Sequence, residues 1–221
     1  MKSSRVEALI AQVELTLLPE LDIRSHNGND PVEVKAVPDG WAVMGNGNYA
    51  VVFAHADFPN MVVKVYADGR PGLEDEAEVY RRLGRHPSFS ECYYVGAAYL
   101  IMKRMPGYTL YDCLLEGIPI PPSVIRDVDE ALAYAIKKGM SPRDIHGKNV
   151  MNDNGKGYVV DVSDFLLRGS DGIWEDFKRA YHWLYKPVLL RWNLPVPARL
   201  LEWCRKGYRF YRRNGKKRRL S

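Results

Sequence analysis

The sequence predicts an α+β chain in two lobes, the first β-rich and the second reduced and mainly helical. Three observations predict it. β-branched runs concentrate between residues 41 and 102, and helical spacing of apolar residues takes over from residue 108. A polar loop rich in Asp, Asn and Gly interrupts the helical part at residues 141–151 and runs into the short strand Tyr158-Val159-Val160. With 221 residues, 46% of them hydrophobic, the chain can build one large domain or two lobes sharing a cleft. Apolar runs such as residues 93–102 are too short to cross a bilayer and stop at Lys103 and Arg104, so no transmembrane segment is expected. Residues 1–18 carry acids inside their apolar pattern and lack a small-residue cleavage site, which argues against a signal peptide. Cys92, Cys113 and Cys204 are scattered, odd in number and without metal-ligand spacing, so reduced thiols in a cytoplasm are the simplest account.

Taken in order, Val6, Leu9, Ile10, Val13 and Leu17 share one face at helical spacing and predict a helix over residues 3–18, packed outside the first lobe. His26-Asn27-Gly28-Asn29-Asp30-Pro31 is loop material. Trp41-Ala42-Val43-Met44 and Val51-Val52-Phe53 flank Gly45-Asn46-Gly47-Asn48-Tyr49-Ala50, which reads as a hairpin; a dinucleotide fingerprint would open a helix instead. Met61-Val62-Val63-Lys64-Val65-Tyr66 is a strand with one Lys inside it, and a helix follows over residues 73–83 with Glu74, Glu76 and Glu78. Residues 99–102 form another strand, ending in an extended Pro106-Gly107 connection. Leu110, Cys113 and Leu114, then Val124, Ile125, Val128, Leu132, Ala135 and Ile136, predict helices, the second stopping at Gly139. Residues 171–184 look helical, and Pro195 and Pro197 leave room for about one more helix.

The loop carries the chemistry. Asp144 is followed five positions later by Asn149, and Asp161 ends the next strand; Asp164 is its rival. One carboxylate to take a hydroxyl proton and two oxygen ligands to hold Mg²⁺ against a polyphosphate are what phosphoryl transfer requires. An Asx turn is the plain reading of the same residues, and the order of the upstream motifs decides against it.

Arg143-Asp144 with Asn149 resembles the catalytic loop of protein kinases, with Pro142 where their His stands, and Asp144-x-His146-x-x-Asn149 is similar to the form in aminoglycoside phosphotransferases. The chain thus resembles the protein-kinase-like superfamily, and its small bacterial Ser/Thr kinase-like proteins in particular. The resemblance implies ATP and Mg²⁺ as cofactors. It gives Asp144 the role of base, and it assigns the metal to Asn149 and Asp161. It has Lys64 reach the α and β phosphates in a pair with Glu76, Glu78 being the alternative. Gly45, Asn46, Gly47, Asn48, Ala50 and Val52 would cover the phosphates, with Ala50 in place of a third Gly. Met102 would guard the back of the adenine pocket, and the backbone from Lys103 to Met105 would pair with adenine. His146 or Lys148 would steady the γ-phosphate, and Asp176 would brace the catalytic loop. Val162-Ser163 replaces Phe-Gly after the metal Asp, and neither Ala-Pro-Glu nor a long activation segment follows. The implied activity is a Ser/Thr protein kinase; a small-molecule or sugar kinase and a non-catalytic nucleotide-binding pseudokinase are the alternatives. The acceptor would be a protein or small-molecule hydroxyl.

The expected organisation is one bilobal domain over residues 1–202, with a first lobe at 19–102, a hinge at 103–107 and a second lobe at 108–202, followed by a basic tail at 203–221. The tail holds nine Lys or Arg and no acid; because the whole chain is +5, the preceding 202 residues sum to −4. Its cations alternate with Tyr208, Phe210 and Tyr211, which suits an anionic partner, either the inner face of a membrane or nucleic acid, or else a solvated end.

Overall fold

The computed structural model describes residues 2–27 and 30–218. Its first element, α1 (Lys2–Gln12), continues through a π-helical stretch, Val13–Leu17, so that Leu9, Val13 and Leu17 bury together at about 1.5–3 kcal/mol each. Two short strands, β1 (Asp22–Arg24) and β2 (Glu33–Ala36), pair antiparallel around the expected loop, of which Gly28 and Asn29 lie outside the described residues. Then come β3 (Trp41–Asn46), β4 (Ala50–His55), β5 (Met61–Tyr66), helix α2 (Leu73–Leu83), β6 (Cys92–Val95) and β7 (Tyr99–Lys103). The strands form an antiparallel sheet in the order β3-β4-β5-β7-β6.

Strand periodicity sorts this sheet into two faces. Every residue of β5 is buried: Met61, Val63 and Val65 pack with Leu9, Val13 and Leu17 of the first helix, while Val62 and Tyr66 pack toward α2. Lys64, between Val62 and Tyr66 in that alternation, therefore faces α2. Leu100 and Met102 of β7 join the α2 side, and Tyr99 and Ile101 the α1 side.

After β7 the chain becomes mainly helical. A small sheet, β10-β9-β8, is built from β8 (Tyr108–Thr109), β9 (Val150–Asp153) and β10 (Lys156–Val159). Asp153 pairs with Lys156 across Asn154 and Gly155, both with positive φ, the two-residue turn that suits a right-twisted hairpin. Helix α3 (Leu110–Glu116) starts at Thr109, whose hydroxyl accepts the Asp112 N–H at 3.0 Å, and stops at Gly117 with φ +70°. Helix α4 (Pro122–Lys137) opens on Pro122, ends before Gly139, and buries Val124, Ile125, Val128, Ala131 and Ala135. Helix α5 (Ile173–Ala180) passes into a π-helical stretch, Tyr181–Leu189, that contains Pro187; α6 (Leu190–Trp192) and α7 (Ala198–Arg218) follow.

Helix α7 runs across residue 202, the expected start of the basic tail, and on to Arg218; residues 219–221 lie outside the described residues. The sheet-rich and helical parts meet where Val159 N–H donates to Ser88 O at 2.8 Å and Phe89 packs edge-on to Phe165. Among the described residues no helix is long and apolar enough to cross a membrane. All three cysteines are free thiols.

Candidate active site

Strand β5, helix α2 and the segment after β10 bring three charges together. Lys64 Nζ lies 2.6 Å from Glu76 Oε2 and 3.3 Å from Asp161 Oδ1. Glu76 is wholly buried, and Lys64 nearly so. Burial disfavours the Lys64 ammonium, but the Asp161 and Glu76 carboxylates outweigh it and raise its pKa. Burial also pushes the Glu76 pKa up while Lys64 pulls it down, so Glu76 is the less comfortable member of the cluster. Asp161 feels the same burial, yet Lys64 and the Ser163 amide, which donates to Oδ1 at 3.1 Å, hold its pKa low. We read the three as one cation shared by two carboxylates. Glu78, by contrast, turns outward to Arg81 and Arg82.

Sequence reasoning missed Tyr66. Its hydroxyl donates to the same Glu76 oxygen that holds Lys64, while Glu76 Oε1 and the Tyr80 hydroxyl are buried with no partner among the described residues. The missed signal is simple: residues 64 and 66 share one strand face.

The loop after α4 is tied at several points. Asp144 has φ +54°, a left-handed conformation that costs a non-glycine residue about 1–2 kcal/mol. Its N–H donates to Asp171 Oδ2 at 2.7 Å, and its C=O accepts Asn149 Nδ2 at 2.9 Å. Val160 N–H donates to Asn149 O at 3.0 Å, which sets Asn149 beside the start of the Asp161 segment. The brace expected from Asp176 therefore comes from Asp171; Asp176 pairs instead with Arg179 and Tyr208. A Gly after Asp171 and a helix beginning at Ile173 mark an Asx turn, but nothing local shows that its second oxygen reaches back to Asp144.

The Asp144 side chain is half-exposed, and its pKa is pushed up to about 7, first by burial and then by Asp161, Asp164 and Asp171. Burial and Asp161 also raise the Asp164 pKa. His146 Nε2 lies 3.6 Å from Asp144 Oδ2, and Lys148 Nζ sits 4.7 Å above the Tyr111 ring.

Oxygen donors for a hard cation are present. Asn149 has spent its amide nitrogen on Asp144 and keeps its carbonyl oxygen; Asp161 has committed Oδ1 and offers Oδ2. No group of three His, Cys, Asp or Glu side chains suited to a metal occurs among the described residues. The donor set fits an ion that takes two protein oxygens and completes its shell from phosphate and water, as Mg²⁺ does.

The hairpin of β3 and β4 closes through Gly47 N–H to Ala50 O at 2.9 Å, with Gly45, Asn46, Asn48 and Val52 around it; Gly45 has open space where a Cβ would stand, the Gly47 C=O accepts the Val32 N–H, and the Asn46 side-chain amide donates to Val32 O. Val52 pairs with Lys64 across β4 and β5. In the 103–107 connection, Lys103 N–H donates to Glu91 O and its C=O accepts the Ser90 hydroxyl, whereas the Met105 N–H has no partner among the described residues. Met102 is buried on the α2 side of the sheet. Gly107 is obligatory: a Cβ there would lie 2.2 Å from Asn152 O, and its φ is +91°.

No protein-family model matches the chain. It is 32% identical over 166 residues to the protein named "Putative serine/threonine-protein kinase YrzF" of Bacillus subtilis (strain 168), an alignment covering 74% of this chain and 77% of that one. That identity spans about three-quarters of both proteins. The chain accordingly belongs to the protein-kinase-like family, among its small bacterial members.

Proposed function

We propose that the chain is an ATP- and Mg²⁺-dependent phosphotransferase, bilobal about residues 103–107, that transfers the γ-phosphate to a protein Ser or Thr hydroxyl. The observation that supports this reading best is the meeting at Lys64 of Glu76 from α2 and Asp161 from 97 residues further along the chain. A buried Lys held charged between two carboxylates is ready to exchange one of them for phosphate oxygens, with Glu76 keeping it in place. The hairpin at residues 45–50 covers the phosphates with backbone amides. Met102 would back the adenine, and the Met105 amide, which has no partner among the described residues, and the Lys103 carbonyl would be its hydrogen-bonding groups. Asn149 and Asp161 would hold Mg²⁺, which would supply charge neutralisation at the transferred phosphoryl group.

Asp144 accepts the acceptor's proton. A carboxylate whose pKa sits near 7 is matched to proton transfer at neutral pH. His146, beside it, is placed to orient the same group, while Lys148 steadies the γ-phosphate only after leaving Tyr111.

A second reading, a sugar or other small-molecule acceptor, is supported by the short connection over residues 162–172 between Asp161 and α5, which offers little platform for a peptide. Purified chain incubated with labelled ATP, Mg²⁺ and either protein or sugar acceptors separates the two. Asp144→Asn is expected to cut transfer by about 10²–10⁴-fold with ATP affinity kept, and Asp161→Asn to abolish Mg²⁺-dependent nucleotide binding. Binding of ATP without transfer to any acceptor would instead favour a pseudokinase.

A further inference from the structure

Helix α7 has three faces. At 100° per residue, Leu201, Tyr208 and Arg212 fall on one arc, Leu200, Trp203, Phe210 and Tyr211 on a second, and Arg199 and Lys206 on a third. The first arc is docked: Tyr208 donates to Asp176 Oδ2 at 2.7 Å, Arg212 donates to Asp171 O, and the Arg212 guanidinium lies 5.6 Å over the Tyr208 ring. Those contacts fix the rotation of α7 and turn the second arc outward. Trp203 is 80% exposed, Phe210 69% and Tyr211 72%. The preceding helical stretch adds Trp183 at 84% and Trp192 at 68%.

We propose that α7 and this preceding stretch form a docking face for a bilayer containing anionic phospholipid. Two independent features fit that partner. Large exposed Trp, Phe and Leu side chains beside a cationic arc are the pattern of a helix that lies in a membrane interface. The nine Lys or Arg in residues 203–221, with no acid among them, make this end of the sequence strongly cationic, and exposed Arg199 and Lys206 on the third arc supply the electrostatic half, each worth roughly a fivefold gain near an anionic surface. Aliphatic Leu200 has no role in stacking on nucleic-acid bases, and a second copy of the same face would oppose like charges.

The test uses the full chain. Sedimentation with phosphatidylglycerol–phosphatidylcholine vesicles, with phosphatidylcholine vesicles and with single-stranded DNA is measured at low and high salt, alongside tryptophan emission. Binding is expected on anionic vesicles, weakened by salt, with a blue shift of emission. Arg199→Glu/Lys206→Glu is expected to weaken it by at least about 30-fold, and Trp203→Ser/Phe210→Ser to weaken it and reduce the blue shift; thermal midpoints stay unchanged because all four residues are exposed. Equal binding to neutral and anionic vesicles, or binding insensitive to both variants, overturns the proposal. So does DNA binding without vesicle binding, or self-association that the Trp203→Ser/Phe210→Ser variant abolishes while vesicles are ignored.

Discussion

The backbone amide of Asp144 is held by the carboxylate of Asp171, N–H to Oδ2 at 2.7 Å. This bond supports Asp144 in its left-handed conformation, and Asp171 spends its other oxygen on the Ile173 amide. Asp171→Ala is expected to lower turnover about 10–100-fold with ATP affinity little changed, because a base displaced by about 1 Å loses that much. Asp171→Asn keeps an acceptor and should fall between. Steady-state transfer rates and nucleotide titration check both, and an Asp176→Ala loss larger than that of Asp171→Ala would reverse the assignment.

The Asp144 carboxyl supplies a pH test in the absence of nucleotide and metal. Its folded pKa, about 7, lies above its ordinary value of 3.8, so between the two the unfolded chain has lost a proton that the folded chain retains. Stability conferred by that retained proton is complete below about pH 4 and lost as pH rises to about 7, after which it is level. Urea midpoints across that window should decline for the native chain and decline less for Asp144→Asn.

The Lys64 cluster predicts a large cost for removing its cation. Lys64→Met leaves Glu76 buried and facing Asp161 and should cost about 3–5 kcal/mol of unfolding free energy. Adding Glu76→Gln should recover part of it, since the uncompensated charge goes. Tyr66→Phe should cost about 1–3 kcal/mol by taking a donor from Glu76. Denaturant curves of the three variants measure these terms; a Lys64→Met cost near zero would contradict a buried pair.

Two glycines should behave in opposite ways. Gly107→Ala drives a methyl into the Asn152 backbone at a positive φ and is expected to destabilise by at least about 2 kcal/mol. Gly45→Ala meets open space at an ordinary φ, so the thermal midpoint should hold while ATP affinity falls. Differential scanning calorimetry with ATP titration distinguishes them.

Much of the strand and helix pattern was legible because the sequence carries long, regular periods. Residues 61–66 alternate between two buried faces, and residues 73–83 repeat at helical spacing, so both elements could be read locally, whereas the pairing of Lys64 with Glu76 rather than Glu78 came only from the kinase resemblance and from the structure. Strands β1 and β2 were not legible: Asp22, Arg24, Glu33 and Lys35 give them little hydrophobic signal. The Asp171 brace was hidden for another reason, since its partner lies 27 residues away and its own surroundings show only a turn. A helix after Pro197 was expected, but its continuation past residue 202 was obscured by Gly207, Gly215 and dense charge; tertiary contacts by Tyr208 and Arg212 tether that part to the body.

The docking of Arg212 on Asp171 also bears on biosynthesis. The two residues are 41 positions apart, so at about 5–20 residues per second Arg212 is added about 2–8 seconds after Asp171. During that interval the nascent chain already contains every residue assigned to phosphate chemistry, yet the segment behind Asp144 lacks its last tether. That tether on the Asp171 carbonyl can form only after translation has reached the aromatic, cationic helix.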